Sequence, residues 1–186
     1  MDPDHRISQP MFAARPLRGL PPYGPRAQSF PRADAFSEGF VVEFFEDGGE
    51  AWVGNFAMFR EGGETSVHTN LGAHAVVVVA GGSGYLVDAE MRRLIREIEF
   101  DVQHIWYDDG LQAMIISNGL WFEAFDAERV LWRSRRFSWD GIQNLEKSAG
   151  ALMGEALDPM THRWLPFRLS LETGEVEGGS YNGPDM

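Results

Sequence analysis

Ala75-Val76-Val77-Val78-Val79-Ala80 runs into Gly81-Gly82-Ser83-Gly84 and on to Tyr85-Leu86-Val87-Asp88. Further along, Gln112-Ala113-Met114-Ile115-Ile116 runs into Ser117-Asn118-Gly119 and on to Leu120-Trp121-Phe122-Glu123-Ala124-Phe125-Asp126. A short apolar run, a Gly-bearing turn and an aromatic or β-branched run is the grammar of two strands joined tightly. Asn and Gly supply the positive φ such turns require. Val76 to Val79 is apolar at every position, which predicts a strand covered on both faces.

Each copy continues alike. A polar turn at Asp88 leads to Arg93-Leu94-Ile95-Arg96-Glu97-Ile98, and one at Asp126 leads to Arg129-Val130-Leu131-Trp132. Asp101-Val102-Gln103-His104-Ile105 then matches Gly141-Ile142-Gln143-Asn144-Leu145, about 40 residues on, and each is read as the fourth piece of its own copy. A looser copy spans Ala151 to Leu169, with its turn at Asp158-Pro159-Met160-Thr161-His162, and a partial one spans Phe40 to Phe59. About four strands every 40 residues is the period of propeller blades. The expected fold is all-β and antiparallel, built of propeller-like repeated hairpin units, with a β-sandwich or barrel as the alternative.

Composition narrows the function. The 186 residues carry a net charge of −12, a field that repels phosphate backbones and argues against nucleic-acid partners. With no Cys there are no disulfides, thiolate metal sites or cysteine nucleophiles. No apolar run is long enough to span a bilayer, and no signal-peptide pattern follows Met1, so the expected location is cytoplasmic, away from membranes.

Residues 1–36 differ in kind from residues 37–186, which are expected to form a single all-β domain. Seven of the ten prolines (Pro3, Pro10, Pro16, Pro21, Pro22, Pro25 and Pro31) fall in the first stretch. Five Arg against three Asp give it +2, leaving −14 on the rest. This reads as an extended, Pro/Arg-rich arm. It would be anchored by Met11, Phe12, Leu17, Leu20, Tyr23 and Phe30, and would lie on a strand edge of the body or on a neighbouring subunit, making a homo-oligomer.

Trp-Val-Gly-Asn-Phe at 52–56, Ala-Gly-Gly-Ser-Gly-Tyr at 80–85, Asn-Gly-Leu-Trp-Phe-Glu-Ala at 118–124, Trp-Arg-Ser-Arg-Arg-Phe-Ser-Trp-Asp-Gly at 132–141 and Thr-Gly-Glu-Val-Glu-Gly-Gly-Ser-Tyr at 173–181 together resemble a group of uncharacterised bacterial proteins. The resemblance covers about 40–181. It implies a β-rich, propeller-like body and brings no activity, cofactor or catalytic residues.

Candidate chemistry is sparse. Gly81-Gly82-Ser83-Gly84 lacks the third Gly and the following helix of a dinucleotide loop, so it is read as a turn. The five His show no metal-ligand spacing, no Ser sits in a nucleophile elbow, and Asp108-Asp109-Gly110 reads as a solvated turn. No catalytic residue, metal or cofactor is expected. The Trp residues are read as packing groups between layers, with Trp121 and Trp164 in equivalent positions. Arg133, Arg135 and Arg136 with Trp139 are the candidate binding residues. The guanidinium groups either staple internal carboxylates such as Glu155 or form an anion patch beside the Trp139 face. Simple pairing across the Asp126 turn sets Glu123 opposite Trp132. The function these features imply is a non-enzymatic binding or scaffolding module for a protein partner, one form of which is an acidic neutralising protein of the immunity kind. A hydrolase whose carboxylates meet only in space is the alternative.

Overall fold

The computed structural model describes residues 11–24, 26–32, 38–46, 48–98 and 101–184. Those residues form sixteen strands in four sheets of four, with no helix among them. The fold is all-β. Among the described residues no helix is long and apolar enough to cross a membrane. The chain divides into two compact units, Met1–Asp101 and Val102–Met186.

In the first unit, β1 (Ala13–Leu17), β2 (Gln28–Phe30), β3 (Phe40–Phe45) and β4 (Trp52–Phe56) form one sheet in the order β1-β3-β4-β2. The segment expected as an arm supplies both edge strands: β1 runs antiparallel to β3, and β2 parallel to β4. Of its expected anchors, Phe12 and Phe30 are buried, whereas Met11, Leu20 and Tyr23 are exposed. Pro3, Pro10 and Pro25 lie outside the described residues. The second sheet is a meander of β5 (Ser66–His68), β6 (Ala75–Ala80), β7 (Ser83–Asp88) and β8 (Arg93–Glu97). Alternation sends Val42, Phe44, Trp52 and Phe56 from one sheet and Val76, Val78, Tyr85 and Val87 from the other into a shared core. There Phe44 stacks on Trp52 with ring centres 4.2 Å apart, and Phe30 on Phe56 at 4.8 Å. All six residues of β6 are buried, as its unbroken apolar run requires.

In the second unit, β9 (His104–Asp108), β10 (Ala113–Ser117), β11 (Phe122–Phe125) and β12 (Val130–Arg133) form one meander. The other comprises β13 (Ile142–Ser148), β14 (Ala151–Asp158), β15 (Arg163–Ser170) and β16 (Val176–Gly178). Ile115, Phe122, Leu152, Phe167 and Leu169 build its core around Phe137, whose ring lies 4.6 Å from that of Phe167. One indole does the same job in each unit. Trp52 Nε1 donates to Ala89 O at 3.0 Å, and Trp132 Nε1 to Leu171 O at 2.9 Å, so each buried ring keeps its polar atom satisfied.

The repeat is written into the turns. Asp88, Asp108, Asp126 and Asp158 each head a hairpin connection, and the Oδ1 of each accepts a backbone N–H two or three residues on. This is the local capture for which Asp is favoured in turns. In three of them the residue four beyond the Asp has positive φ: Arg92 (52°), Gln112 (53°) and His162 (53°).

The sequence reading set the phase of the repeat one strand wrong. His104-Ile105 pairs with β10, so Asp101 to Ile105 opens the following sheet rather than closing the preceding one, and Ile142 likewise opens the sheet of β14. The first strand of the β5–β8 meander, Ser66-Val67-His68, is short and carries little hydrophobic signal. Glu123 opposite Trp132 is also corrected. Phe125 does pair with Val130, but a bulge absorbs Leu131, so Ala124 meets Trp132 and Glu123 meets Arg133. The equivalent irregularity between β7 and β8 absorbs Ile95.

Candidate functional site

Beyond β12 the chain leaves the sheet but not the protein. Ser134 N donates to Phe122 O at 2.8 Å, Ser134 Oγ accepts from Phe122 N at 3.0 Å, and Phe137 N reaches Leu120 O at 3.1 Å. The C-terminal segment then lies across this stretch. Phe137 O accepts from both Ser180 N (2.8 Å) and Tyr181 N (2.9 Å). Gly179 makes this approach possible: its φ is 90°, and a Cβ on it would sit 2.4 Å from Phe137 O. Ser180 Oγ donates to Leu157 O at 2.7 Å and accepts from Trp139 N at 3.1 Å.

The three arginines have different employment. Arg133 clasps Glu123, with Nε 2.9 Å and Nη2 2.6 Å from Oε2, and its guanidinium lies 4.2 Å above the Trp121 ring. Glu123 is buried and Arg133 half-exposed. Arg135 turns to backbone. Its Nη1 donates to Arg136 O (3.0 Å) and Tyr181 O (2.9 Å), and its Nη2 to Gly178 O (2.9 Å) and Val176 O (3.5 Å). Arg136 donates to Ser138 O at 3.0 Å and Trp139 O at 3.1 Å while its guanidinium lies 4.6 Å from the Tyr181 ring centre and 5.5 Å from that of Trp139. The structure thus brings Arg136 and Trp139 together, sets Arg135 to the C-terminal segment, and sends Arg133 to Glu123. Glu155 partners none of them, taking its hydrogen bonds from Gln143 and Asn144. All three thus spend donors on partners within the chain, carbonyls for Arg135 and Arg136 and a carboxylate for Arg133.

What remains on the surface is an aromatic ledge. Trp139 is 46% exposed, and its ring meets the buried Tyr181 ring edge-on, 4.7 Å between centres at 84°. Sequence reasoning missed Tyr181. The Gly-Gly-Ser-Tyr run that carries it reads as a terminal loop, and only its pairing with Phe137 places it here. The packing expectation for Trp fails at Trp139 and at Trp164, which is 37% exposed, and holds for Trp52 and Trp132.

The other polar groups serve structure. Burial pushes the Asp108 carboxyl up, but Lys147 Nζ at 2.5 Å and the amides of Leu111 and Gly110 outweigh this and hold it below the usual carboxylate range. Such a group stabilises the fold above its ordinary pKa, and the contribution is lost as pH falls through its lowered value. Replacing Lys147 by Met is therefore expected to cost about 1–3 kcal/mol at neutral pH. The difference from wild type should shrink as pH falls below the ordinary carboxylate range and through the lowered value at which Asp108 takes up its proton. Urea midpoints from neutral pH into strong acid check it, and a pH-independent difference would contradict it.

His68 lies 3.0 Å from Ser66 Oγ on β5, and burial lowers its pKa against the raising effect of Glu64. Among the described residues no group of three or more His, Cys, Asp or Glu could hold a metal ion.

No family model matches the chain, and no curated protein matches it. Among solved structures it is similar to a computationally designed protein, Ika8, with 14% identity and a TM-score of 0.41 over 75% of this chain. It is also similar to a eukaryotic initiation factor, with 12% identity and a TM-score of 0.39 over 77%. The chain spans 47% of the length of the first and 40% of the second. Likenesses this distant carry no functional argument.

Proposed function

We propose that the chain is a non-enzymatic binding module of the bacterial propeller-like group it resembles, that it acts in the cytoplasm, and that it docks a protein partner on the Trp139 ledge. An acidic neutralising protein of the immunity kind is one form this could take. The observation that carries the reading is the rigid presentation of an exposed indole. Trp139 N is held by Ser180 Oγ, Trp139 O by Arg136 Nη2, and the ring by the edge of Tyr181. Trp, Tyr and Arg are the residue types that dominate interface energetics. A side chain already fixed loses little entropy on docking. The hydrolase alternative needs two carboxylates facing a common substrate. Among the described residues the two buried carboxylates, Asp108 and Glu123, face Lys147 and Arg133 instead.

The test is affinity capture from an extract of the native host, with the wild-type chain and Trp139→Ala as paired baits. The substitution removes a half-exposed ring and its edge contact with Tyr181, so the melting temperature should fall only slightly, while the captured partner should bind about tenfold or more weakly. A partner retained equally by both baits overturns the reading. So does glycoside or ester hydrolysis by the purified chain that is lost in Asp108→Asn or Glu123→Gln.

A further inference from the structure

The chain holds two Asn-Gly pairs, Asn118-Gly119 and Asn182-Gly183. This dipeptide carries latent chemistry. Glycine has no Cβ to shield its backbone nitrogen, and the side-chain carbonyl carbon of the preceding Asn lies within reach of that nitrogen. A pair free to move closes a five-membered ring on itself. A pair whose groups are held by hydrogen bonds does so far more slowly.

The two pairs differ in how they are held. Asn118-Gly119 forms the connection between β10 and β11. Gly119 N donates to Ser117 Oγ at 3.0 Å, and Asn118 Oδ1 accepts from Leu120 N at 3.1 Å. Ser117 is buried, and its hydroxyl in turn donates to Trp121 O at 2.7 Å. The attacking nitrogen and the amide it would attack are thus both engaged by short-range hydrogen bonds. Asn182-Gly183 follows β16. Both residues are exposed, and among the described residues no hydrogen bond engages the Asn182 side chain or the Gly183 amide. A single bond spans the pair, from Tyr181 Oη to Pro184 O at 2.8 Å.

We propose that Asn182-Gly183 is a self-modification site, and that Asn118-Gly119 is locked against the same reaction. Gly183 N attacks Asn182 Cγ. The N–Cγ bond forms, the Cγ–Nδ2 bond breaks, and Nδ2 leaves as ammonia, carrying the proton that Gly183 N gave up. Water then opens the succinimide. Cleaving the new N–Cγ bond leaves aspartate at position 182. Cleaving the original peptide bond instead leaves isoaspartate, with the chain running through Cγ. No oxidant, reductant or reagent other than water is needed. Either product adds a negative charge just beyond Tyr181, whose carbonyl accepts from Arg135 and whose ring backs Trp139. Isoaspartate also lengthens the backbone beneath the Tyr181–Pro184 bond, so that bond should be lost and the end of the C-terminal segment should loosen with age.

Ageing the full chain in warm, mildly alkaline buffer, followed by peptide mapping by mass, tests this. In the folded chain, conversion at 182 should run about tenfold or more faster than at 118. It should quicken as pH rises, because the attacking nitrogen must lose its proton. In urea, where neither pair is held, the two rates should converge. Asn182→Gln should abolish the acid product at 182 and leave the melting temperature unchanged, since its longer side chain closes a six-membered ring much more slowly. Ser117→Ala frees Gly119 N and should speed conversion at 118. Equal rates at the two pairs in the folded wild type overturn the proposal, as does a ratio that is the same in urea. A rate at 118 unmoved in a folded Ser117→Ala chain overturns the lock. The folded-against-urea comparison of the wild type decides the matter even where Ser117→Ala fails to fold.

Discussion

Arg135→Ala is expected to destabilise the protein by about 2–3 kcal/mol, the range for hydrogen bonds to a charged group. For a chain of this size that lowers the melting temperature by roughly 5–10 °C. The half-buried guanidinium collects the carbonyls of Arg136, Val176, Gly178 and Tyr181, and so ties the last strand and the segment after it to the stretch leaving β12. Remove it and those acceptors must find water or stay unpaired. Neighbouring contacts depend on the same approach: the bonds of Ser180 and Tyr181 to Phe137 O, and the close passage of Gly179. Arg135→Lys should recover less than half of the loss, because one ammonium cannot span acceptors arranged for a planar fork. Calorimetry of the three proteins measures this. An Arg135→Lys chain as stable as wild type would mean that charge alone, and not the fan of donors, holds the C-terminal segment.

The parts of the fold legible in the sequence are those where one residue type has one structural meaning. Gly81-Gly82-Ser83-Gly84 announces a turn, and the turn falls on Gly81-Gly82, with φ of 55° and 92° and Ala80 opposite Ser83. The aspartates announce turns and head them. The unbroken valines announce a strand covered on both faces, and β6 is. What stayed illegible depends on partners distant in sequence. Ser66-Val67-His68 has no apolar alternation of its own and becomes a strand only because β6 offers an open edge, which is why the repeat was read one strand out of phase. Leu131 looks like an ordinary strand residue, yet the bulge that skips it moves Glu123 from Trp132 to Arg133. That single step turns a buried carboxylate from a liability into half of an ion pair. The candidate site was half legible for the same reason. Arg133, Arg135, Arg136 and Trp139 stand out as a cluster along the chain. Which of them faces a carboxylate, which faces carbonyls and which faces a ring is set by the C-terminal segment lying across them, and Tyr181 is invisible until it does.

Gly81→Ala tests the other close approach on which the structure depends, and the expected cost is roughly 2–4 kcal/mol, combining a left-handed conformation with overpacking. The chain from Ala57 to Thr65 folds over the β6–β7 turn and is held there by hydrogen bonds from Phe59 N to Ala80 O (3.3 Å), Arg60 N to Gly81 O (3.1 Å) and Gly82 N to Glu64 O (2.8 Å). Gly81 N to Thr65 Oγ1 (3.1 Å) and Tyr85 Oη to Ala57 O (2.8 Å) complete the set. A Cβ on Gly81 would stand 2.2 Å from Arg60 O, a backbone atom that cannot swing aside as a side chain can. The overlying segment would have to lift, and the bonds that hold it would lengthen together. Gly62, in the same segment, isolates the two contributions. Its φ is 73°, but nothing lies within 4 Å of a Cβ placed there. Gly62→Ala should therefore show only the conformational cost, about 1 kcal/mol. The excess in Gly81→Ala should appear also as faster amide exchange at Arg60 and Gly82, two of the donors that bridge segment and turn. Equal destabilisation by the two substitutions, with unchanged exchange at those amides, would show that the segment does not depend on its closeness to the turn. In that case Gly81 is required for its φ alone.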